Sequence, residues 1–412
     1  NDVLRGCTDI ELAVLYAPQR SDQRSGGIIM RFDTKVVRGG ISPCPTTGAI
    51  VPPIYQSATF VLEEVGRDKG YDYTRSSNPT RQTLENALAS IEGAAYCAAF
   101  ASGMSAVDAV LRTLEAGDHV VCSDDVYGGV SRLYNTILAR HGLSFTYVDS
   151  SFPDRVADAI RPETKMVWIE TPTNPLLKVS DVKALADVAH AHNIPLAVDS
   201  TFATPALLRP LEWDADIVMH STTKYLSGHN QIIGGAVLTN DASFQEKMRY
   251  QQKAIGAIPS PFDCWLTITG LKTLSLRMAR HSSNAMTVAR FLSDHPKVKS
   301  VTYPGLENHP GHAVARQQMS AYSGMITFEL TGGLEAGRTL MNSVRLCALA
   351  ESLGAVETMI THPATMTHVD VPADERRARG LTDSVVRLSV GIEDPQDIID
   401  DLAMALKLAN KG

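Results

Sequence analysis

Two residues stand where chemistry could be done, Asp199 and Lys224, each at the end of a short apolar run. Residues 216–229 read Asp-Ile-Val-Met-His-Ser-Thr-Thr-Lys-Tyr-Leu-Ser-Gly-His. A run able to form a buried strand leads straight into the hydroxyls of Ser221 and Thr223, then Lys224, then Gly228. A lysine at a strand end in a partly apolar pocket loses its charge readily, and the neutral amine can form an imine. The two hydroxyls beside it can hold a phosphate. Taken alone, a lysine after a strand is usually a solvated loop charge. The earlier segment Pro195-Leu-Ala-Val-Asp199-Ser-Thr-Phe202 places a carboxylate at the end of another apolar strand. Alone it reads equally as a turn or helix-capping aspartate. The two together, on successive strands, are more specific than either.

An amine that forms imines, a phosphate site and a carboxylate are what pyridoxal 5′-phosphate (PLP) requires. The carboxylate keeps the pyridine nitrogen protonated, so that the ring is an electron sink. Three further segments fit that chemistry, each weakly by itself. Phe100-Ala-Ser102-Gly103-Met104 opens a helix, whose N-terminal N–H groups suit a phosphate. Asp124-Asp125-Val-Tyr127-Gly-Gly129 offers a ring that could stack on a flat cofactor, or a half-buried turn tyrosine. Tyr71-Asp-Tyr73-Thr-Arg75-Ser-Ser-Asn-Pro-Thr-Arg81 becomes functional only if Arg75 reaches a partner subunit's phosphate.

These groups need a scaffold. The 412 residues predict two or three structural units, and 44% hydrophobic with 20% charged residues is an ordinary globular composition. A formal net charge of −7 disfavours nucleic acid and anionic membrane as partners. No apolar run is long enough for a transmembrane helix. The six cysteines form no CxxC pair, which favours a reducing, cytoplasmic compartment over a disulfide framework. Residues 1–29 carry acids and no clear period, and are expected to be an extension outside the chemistry. Residues 30–79, rich in Pro and Gly, predict an extended arm. Leu84, Leu88 and Ile91 predict a helix stopped by Gly93, and Met104, Val107, Leu111 and Leu114 a second one from Ser102 to Gly117. Apolar runs near 119–122, 145–148, 166–169, 195–198 and 216–219 alternate with helical stretches such as 181–192. That alternation predicts an α/β unit over 80–282 with a largely parallel sheet and active groups at the strands' C-terminal ends. Strands at 325–330 and 385–390 and a closing helix at 395–410 predict a smaller α+β unit over 283–412.

Together the segments resemble the Cys/Met-metabolism PLP family, from about residue 33 to 410. The resemblance rests on the motifs above, with Trp-Ile-Glu-Thr-Pro-Thr-Asn-Pro (168–175), Ala-Glu-Ser-Leu-Gly (350–354) and Val-Arg-Leu-Ser-Val-Gly-Ile-Glu (386–393). It implies a fold-type I transferase architecture, similar to aspartate aminotransferase, with a mixed, mostly parallel large sheet and a smaller C-terminal domain. It implies Lys224 as the cofactor lysine and proton shuttle, Asp199 as the pyridinium partner and Tyr127 as the stacking ring. Gly103, Met104, Ser221 and Thr223 are then phosphate ligands, with Tyr73 and Arg75 supplied by the neighbouring subunit. Arg387 becomes the anchor for the substrate α-carboxylate, with Asn174, Ser352, Glu351, Tyr55 and Arg132 around the substrate. From its residue context alone, Arg387 reads as a strand-end surface charge. The chain departs from the family pattern at Ser200, where Asn is usual, and at Gln231 in Gly-His-Asn-Gln (228–231), where Asp is usual.

The resemblance implies an enzyme acting on small amino acids, as a dimer with shared sites or a tetramer. It is either a carbon–sulfur lyase or a γ-replacement transferase. Gly129 stands where methionine γ-lyases carry Cys. Glu351 resembles the acid placed near the distal amino group of cystathionine. Asp-Asp-Val-Tyr-Gly-Gly (124–129) and Gly-Ala-Ile-Pro-Ser-Pro-Phe-Asp-Cys (256–264) resemble γ-lyases, whereas the C-terminal Ala-Asn-Lys-Gly (409–412) resembles bacterial γ-synthases. The expectation is γ-elimination of cystathionine, with γ-synthesis from an O-acyl-homoserine as the alternative. No metal is expected, because His309, His312, His362 and His368 lack ligand spacing. A catalytically silent scaffold is disfavoured by the intact Lys224, Asp199 and Arg387.

Overall fold

The computed structural model describes residues 29–367, 369, 373–378 and 380–409. The expected extension before residue 29, His368 and the last three residues lie outside the described residues. Past the short helix Phe32–Arg38, the arm carries only isolated bridges, Thr59 to Tyr73 and Glu64 to Arg67, up to Asn78. Its prolines cannot donate to a ladder, so it runs over the surface. The helix Pro79–Glu92 starts where the Asn78 side chain accepts from the N–H groups of Thr80 and Arg81. It ends at Gly93, whose φ of 78° is the left-handed stop that glycine tolerates best.

Seven strands then build the large sheet: β1 Tyr96–Phe100, β2 His119–Ser123, β3 Ser144–Val148, β4 Thr164–Glu170, β5 Leu196–Asp199, β6 Ile217–His220 and β7 Gly235–Thr239. Their order is β1-β7-β6-β5-β4-β2-β3. The five strands β2 to β6 run parallel, and β7 is antiparallel to both β1 and β6. Both faces are covered. Val167, Ile169, Val198 and Val218 pack with the helices Pro79–Glu92 and Val182–Ala191, whereas Trp168, Ala197, Ile217 and Met219 pack with Gly103–Leu111. Each fully buried Val or Leu contributes about 1.5–3 kcal/mol. The helix after Ser102 is shorter than the periodicity predicts. It closes at Leu111 and its last carbonyls are taken by turns at Arg112, Thr113 and Leu114.

The smaller unit has β8 Val298–Thr302, β9 Met325–Leu330, β10 Ala348–Leu349, β11 Met359–Thr361 and β12 Val385–Ser389, in the order β10-β11-β12-β9-β8. All its pairings but β10 with β11 are antiparallel. The helices Gly333–Ser343 and Pro395–Leu408 close its core. The expected junction at 282/283 falls inside the helix Leu274–Ser293. Leu274 and Met278 of that helix pack into the large unit's core, and Ala285, Val288, Ala289 and Leu292 into the small one's. The chain is thus an α/β protein with a large, mostly parallel sheet and a second, smaller sheet unit. Among the described residues, no helix is long and apolar enough to cross a membrane.

Candidate active site

The C-terminal ends of β2, β4, β5 and β6 open toward one side of the sheet, and most of the expected site residues hang there. β6 delivers Ser221 and Lys224 in a turn; β5 ends at Asp199. The two strand ends are tied together, because the Ser221 N–H donates to the Thr201 hydroxyl at 2.9 Å. The Lys224 ammonium points into the protein and donates to Ser352 Oγ at 3.0 Å. Burial pushes this amine down to about 8; the nearby Arg387 charge adds to that, and Glu351 opposes it. Asp199 is 6% exposed, and its carboxylate accepts the Thr201 N–H at 3.0 Å. Burial pushes the Asp199 carboxyl up, against the pull of Thr201 and of His220. Among the described residues no cation lies within ion-pair distance of it.

The start of the helix Gly103–Leu111 presses against the Lys224 turn. A Cβ on Gly103 would stand 3.0 Å from Ser221 Cβ and Oγ, and one on Gly235 would stand 2.3 Å from the Ser102 carbonyl. Glycine is required for this approach, which sets the helix's free N–H groups beside Ser221 as an anion cradle. The Thr223 hydroxyl is turned to the neighbouring loop instead, donating to the Gly234 carbonyl at 3.2 Å and accepting its N–H at 2.9 Å. Met104 lies close by, its sulfur 3.2 Å from where a Cβ on Gly129 would be.

Tyr127 follows β2 and is 42% exposed. Its N–H donates to Glu170 at 2.9 Å, and its ring folds over Gly129, where a Cβ would stand 2.6 Å from the ring. Asp125 beside it is structural. It accepts from the Thr173 hydroxyl and the Leu176 N–H, so it holds the loop that carries Asn174. Asp124 shares Lys178 with Asp149, at 2.9 Å each.

Arg387 lies on β12, paired between Thr361 of β11 and Thr327 of β9, and is 2% exposed. Its position inside an antiparallel sheet explains why it is no surface charge. One nitrogen donates to Asn174 Oδ1 at 2.9 Å, another to the Ser352 carbonyl at 2.9 Å and to Thr361 Oγ1 at 3.3 Å. Its Nε has no partner among the described residues. Burial brings its guanidinium down to about 10. Ser352, at φ 133°, therefore touches both Lys224 and Arg387. A backbone held in that region signals a site fixed by its surroundings. Glu351 stands exposed next to it, close enough to act on both charges.

Other expected residues stay apart. Tyr73 and Arg75 meet each other, the guanidinium 5.4 Å from the ring centroid, and Arg75 donates to the Lys253 carbonyl. Tyr55 is fixed by its backbone to Thr80 and Asn78, and Arg132 ends the short helix Gly128–Arg132 in an exposed position. His309, His312 and His362 bond to backbone carbonyls of Leu177, Pro304 and Asp383. One residue was missed by sequence reasoning: Glu170, buried at the end of β4 and in register with Asp199. Burial and the Asp199 charge push its carboxyl well above the usual range. It ends an apolar run as Asp199 does, so the same rule could have found it.

PLP fits these residues. A buried amine near neutrality, a carboxylate buried without a cation, a glycine-dependent anion cradle and a guanidinium with an unused Nε are the donors and acceptors it and an amino acid need.

Comparisons with known proteins agree. A cystathionine beta-lyase of Coxiella burnetii is 48% identical over 377 residues, 91% of this chain and 97% of that protein. A cystathionine gamma-synthase of Mycobacterium tuberculosis is 47% identical over 375 residues, 90% and 96% of the two chains. The crystal structure of a cystathionine gamma-lyase from Lactobacillus plantarum, complexed with L-serine, superimposes with a TM-score of 0.90 at 42% identity over 92% of this chain and 99% of that one. The model of the family described as Cys/Met metabolism PLP-dependent enzymes matches residues 33–407, and this chain belongs to that family.

Proposed function

We propose that the enzyme cleaves L-cystathionine by γ-elimination, giving with one water cysteine, 2-oxobutyrate and ammonia. The observation that carries this reading is the position of Glu351. It stands at the exposed end of the segment whose next residue holds both Lys224 and Arg387. A substrate anchored by its α-carboxylate at Arg387 extends past Lys224, and its distal ammonium then meets a carboxylate.

Bound at Lys224, PLP supplies the electron sink that stabilises negative charge at Cα and Cβ. The chain's residues do the rest. Arg387 binds the α-carboxylate, with Asn174 and Ser352 fixing the plane of its guanidinium. Lys224, with an amine near 8, takes the Cα proton and moves protons toward the departing sulfur; Ser352 Oγ aims it. Asp199 would hold the proton on the cofactor's nitrogen, Tyr127 would cover its ring, and Gly103, Met104 and Ser221 would hold its phosphate, with Thr223 joining them on turning its hydroxyl from Gly234. Tyr73 and Arg75 would reach the phosphate of a second copy; in their own chain the Arg75 guanidinium lies over the Tyr73 ring and donates to the Lys253 carbonyl. The working unit is then a dimer with shared sites, assembled further into a tetramer. Cys44, Cys97, Cys122, Cys264 and Cys347 are buried and, among the described residues, form no disulfide, which supports a cytoplasmic setting.

A second reading is γ-replacement, in which cysteine displaces the acyl group of an O-acyl-homoserine. Glu351 favours it too, because the same carboxylate would hold the amino group of the incoming cysteine. The test is product analysis with PLP-loaded enzyme. Release of 2-oxobutyrate from cystathionine supports elimination. Net cystathionine formation from cysteine and an O-acyl-homoserine, without 2-oxobutyrate from cystathionine, supports replacement. Lys224→Ala is expected to abolish both with the fold intact, and full turnover in that variant would remove Lys224 from the mechanism.

A further inference from the structure

A row of buried polar groups lies behind the site, on the other face of the large sheet. Along β5 and β6, Ala197, Ile217 and Met219 face one core, and Val198 and Val218 the other. Alternation carries Ser200 and His220 onto the second face. The pairing of Asp199 with Met219 continues one residue further, because the Ser200 N–H donates to the Met219 carbonyl at 3.1 Å. Ser200 therefore sits beside His220. The imidazole reaches away to the end of the helix Pro79–Glu92, where Nε2 is 2.8 Å from Glu92 Oε2. Ser200 and Glu92 are 0% exposed and His220 1%.

Three atoms of this row, Ser200 Oγ, His220 Nδ1 and Glu92 Oε1, have no partner among the described residues, and the first two face each other across the strand pair. Buried polar atoms are nearly always paired. Adjacent strands lie about 4.8 Å apart, so one rotation of the Ser200 side chain brings its hydroxyl to the ring.

We propose that Ser200, His220 and Glu92 form a hydrogen-bonded row that positions Asp199 from behind. Ser200 Oγ–H donates to His220 Nδ1, and Nε2–H donates to Glu92. The row locks the ends of β5 and β6 in register, one residue from Asp199 and one from Ser221. Glu92 draws on His220, the hydrogen bond opposing the effect of burial. The positioning role rests on the reading of Asp199 as partner of the pyridine nitrogen.

The test has two parts. Nitrogen-15 NMR of histidine-labelled, cofactor-free protein reads the bond directly. Ser200→Ala is expected to move the His220 Nδ1 resonance toward that of an unbonded acceptor, and Ser200→Thr to restore it. An unmoved resonance overturns the row. PLP titration into the same proteins, followed by protein fluorescence and the visible band of the bound cofactor, reads the positioning. Ser200→Ala and His220→Asn are expected to weaken binding about two- to tenfold, the range of one hydrogen bond, and to shift the band, with rescue in Ser200→Thr. Asp199→Ala is the control. If it changes affinity and band while the row variants change neither, the positioning role is overturned and the reading of Asp199 stands. If Asp199→Ala changes nothing, the reading of Asp199 falls and the positioning role with it, while the resonance still reports the bond.

Discussion

Lys224 is expected to titrate near pH 8 in the cofactor-free protein, because burial and the Arg387 charge both disfavour its ammonium form. The perturbation is pH, combined with removal of one charge at a time. At pH 7.5 an amine at about 8 is about a quarter neutral, whereas a lysine in water near 10.4 is only about 0.1% neutral. The folded site therefore presents on the order of 200 times more reactive amine than an unfolded chain. Labelling with an aldehyde and cyanoborohydride, quantified by mass spectrometry of the Lys224 peptide from pH 6 to 11, gives the midpoint. Arg387→Met should move that midpoint up, because it removes a like charge. Glu351→Gln should move it down, because it removes the opposing carboxylate. The same shift links to stability. The folded amine releases its proton near 8 and the unfolded one near 10.4, so the cost of burying the charge is complete below pH 8 and is lifted as pH rises between those values. A labelling midpoint at 10 or above, or one that ignores both substitutions, would refute the desolvated-lysine argument.

Three other perturbations have definite signs. Arg387→Met should lower kcat/KM for α-amino-acid substrates about 10- to 150-fold, the value of a charged hydrogen bond, mostly through KM. Its thermal midpoint should fall only modestly, because relief of the buried charge offsets the loss of its donors to Asn174, the Ser352 carbonyl and Thr361; a loss beyond about 3 kcal/mol would mean that Arg387 is chiefly structural. Glu351→Ala should reduce turnover of cystathionine about two- to fivefold more than that of a γ-substituted substrate lacking the distal ammonium, and equal losses would take Glu351 out of the site. Gly129→Ala sets a Cβ 2.6 Å from the Tyr127 ring, so PLP affinity should drop with stability changed by no more than about 0.5 kcal/mol; unchanged PLP affinity in a titration would show that the ring moves aside freely.

Much of this was legible in the chain because it is local. Lys224 and Asp199 each close an apolar run, and runs at β2 through β6 carry the periodicity of buried strands. Tyr96–Phe100 and Gly235–Thr239 escaped notice, because Ala and Gly give little strand signal and their partner is distant in sequence: Phe100 pairs with Gly235. Arg387 illustrates the limit best. Its burial is decided by its place between β11 and β9 and its partner by the fold, Asn174 lying 213 residues away, and no spacing rule reaches that far. Glu92 and His220 meet across 128 residues for the same reason. Fold-level pairing brings such groups together after the local elements have formed, so residue type and period alone leave them as ordinary charges.

The helix Leu274–Ser293 bears on how the protein could be divided. Its first turns belong to one core and its later turns to the other, so it is a continuous beam rather than a linker. A two-fragment version of the enzyme should be severed after the beam, at the turn where the Asp294 and His295 N–H groups close onto the carbonyls of Arg290 and Leu292. Severed at residue 282, each half would carry a stub too short to hold its own helical geometry, and the fixed span that brings Lys224 to Ser352 beside Arg387 would be lost.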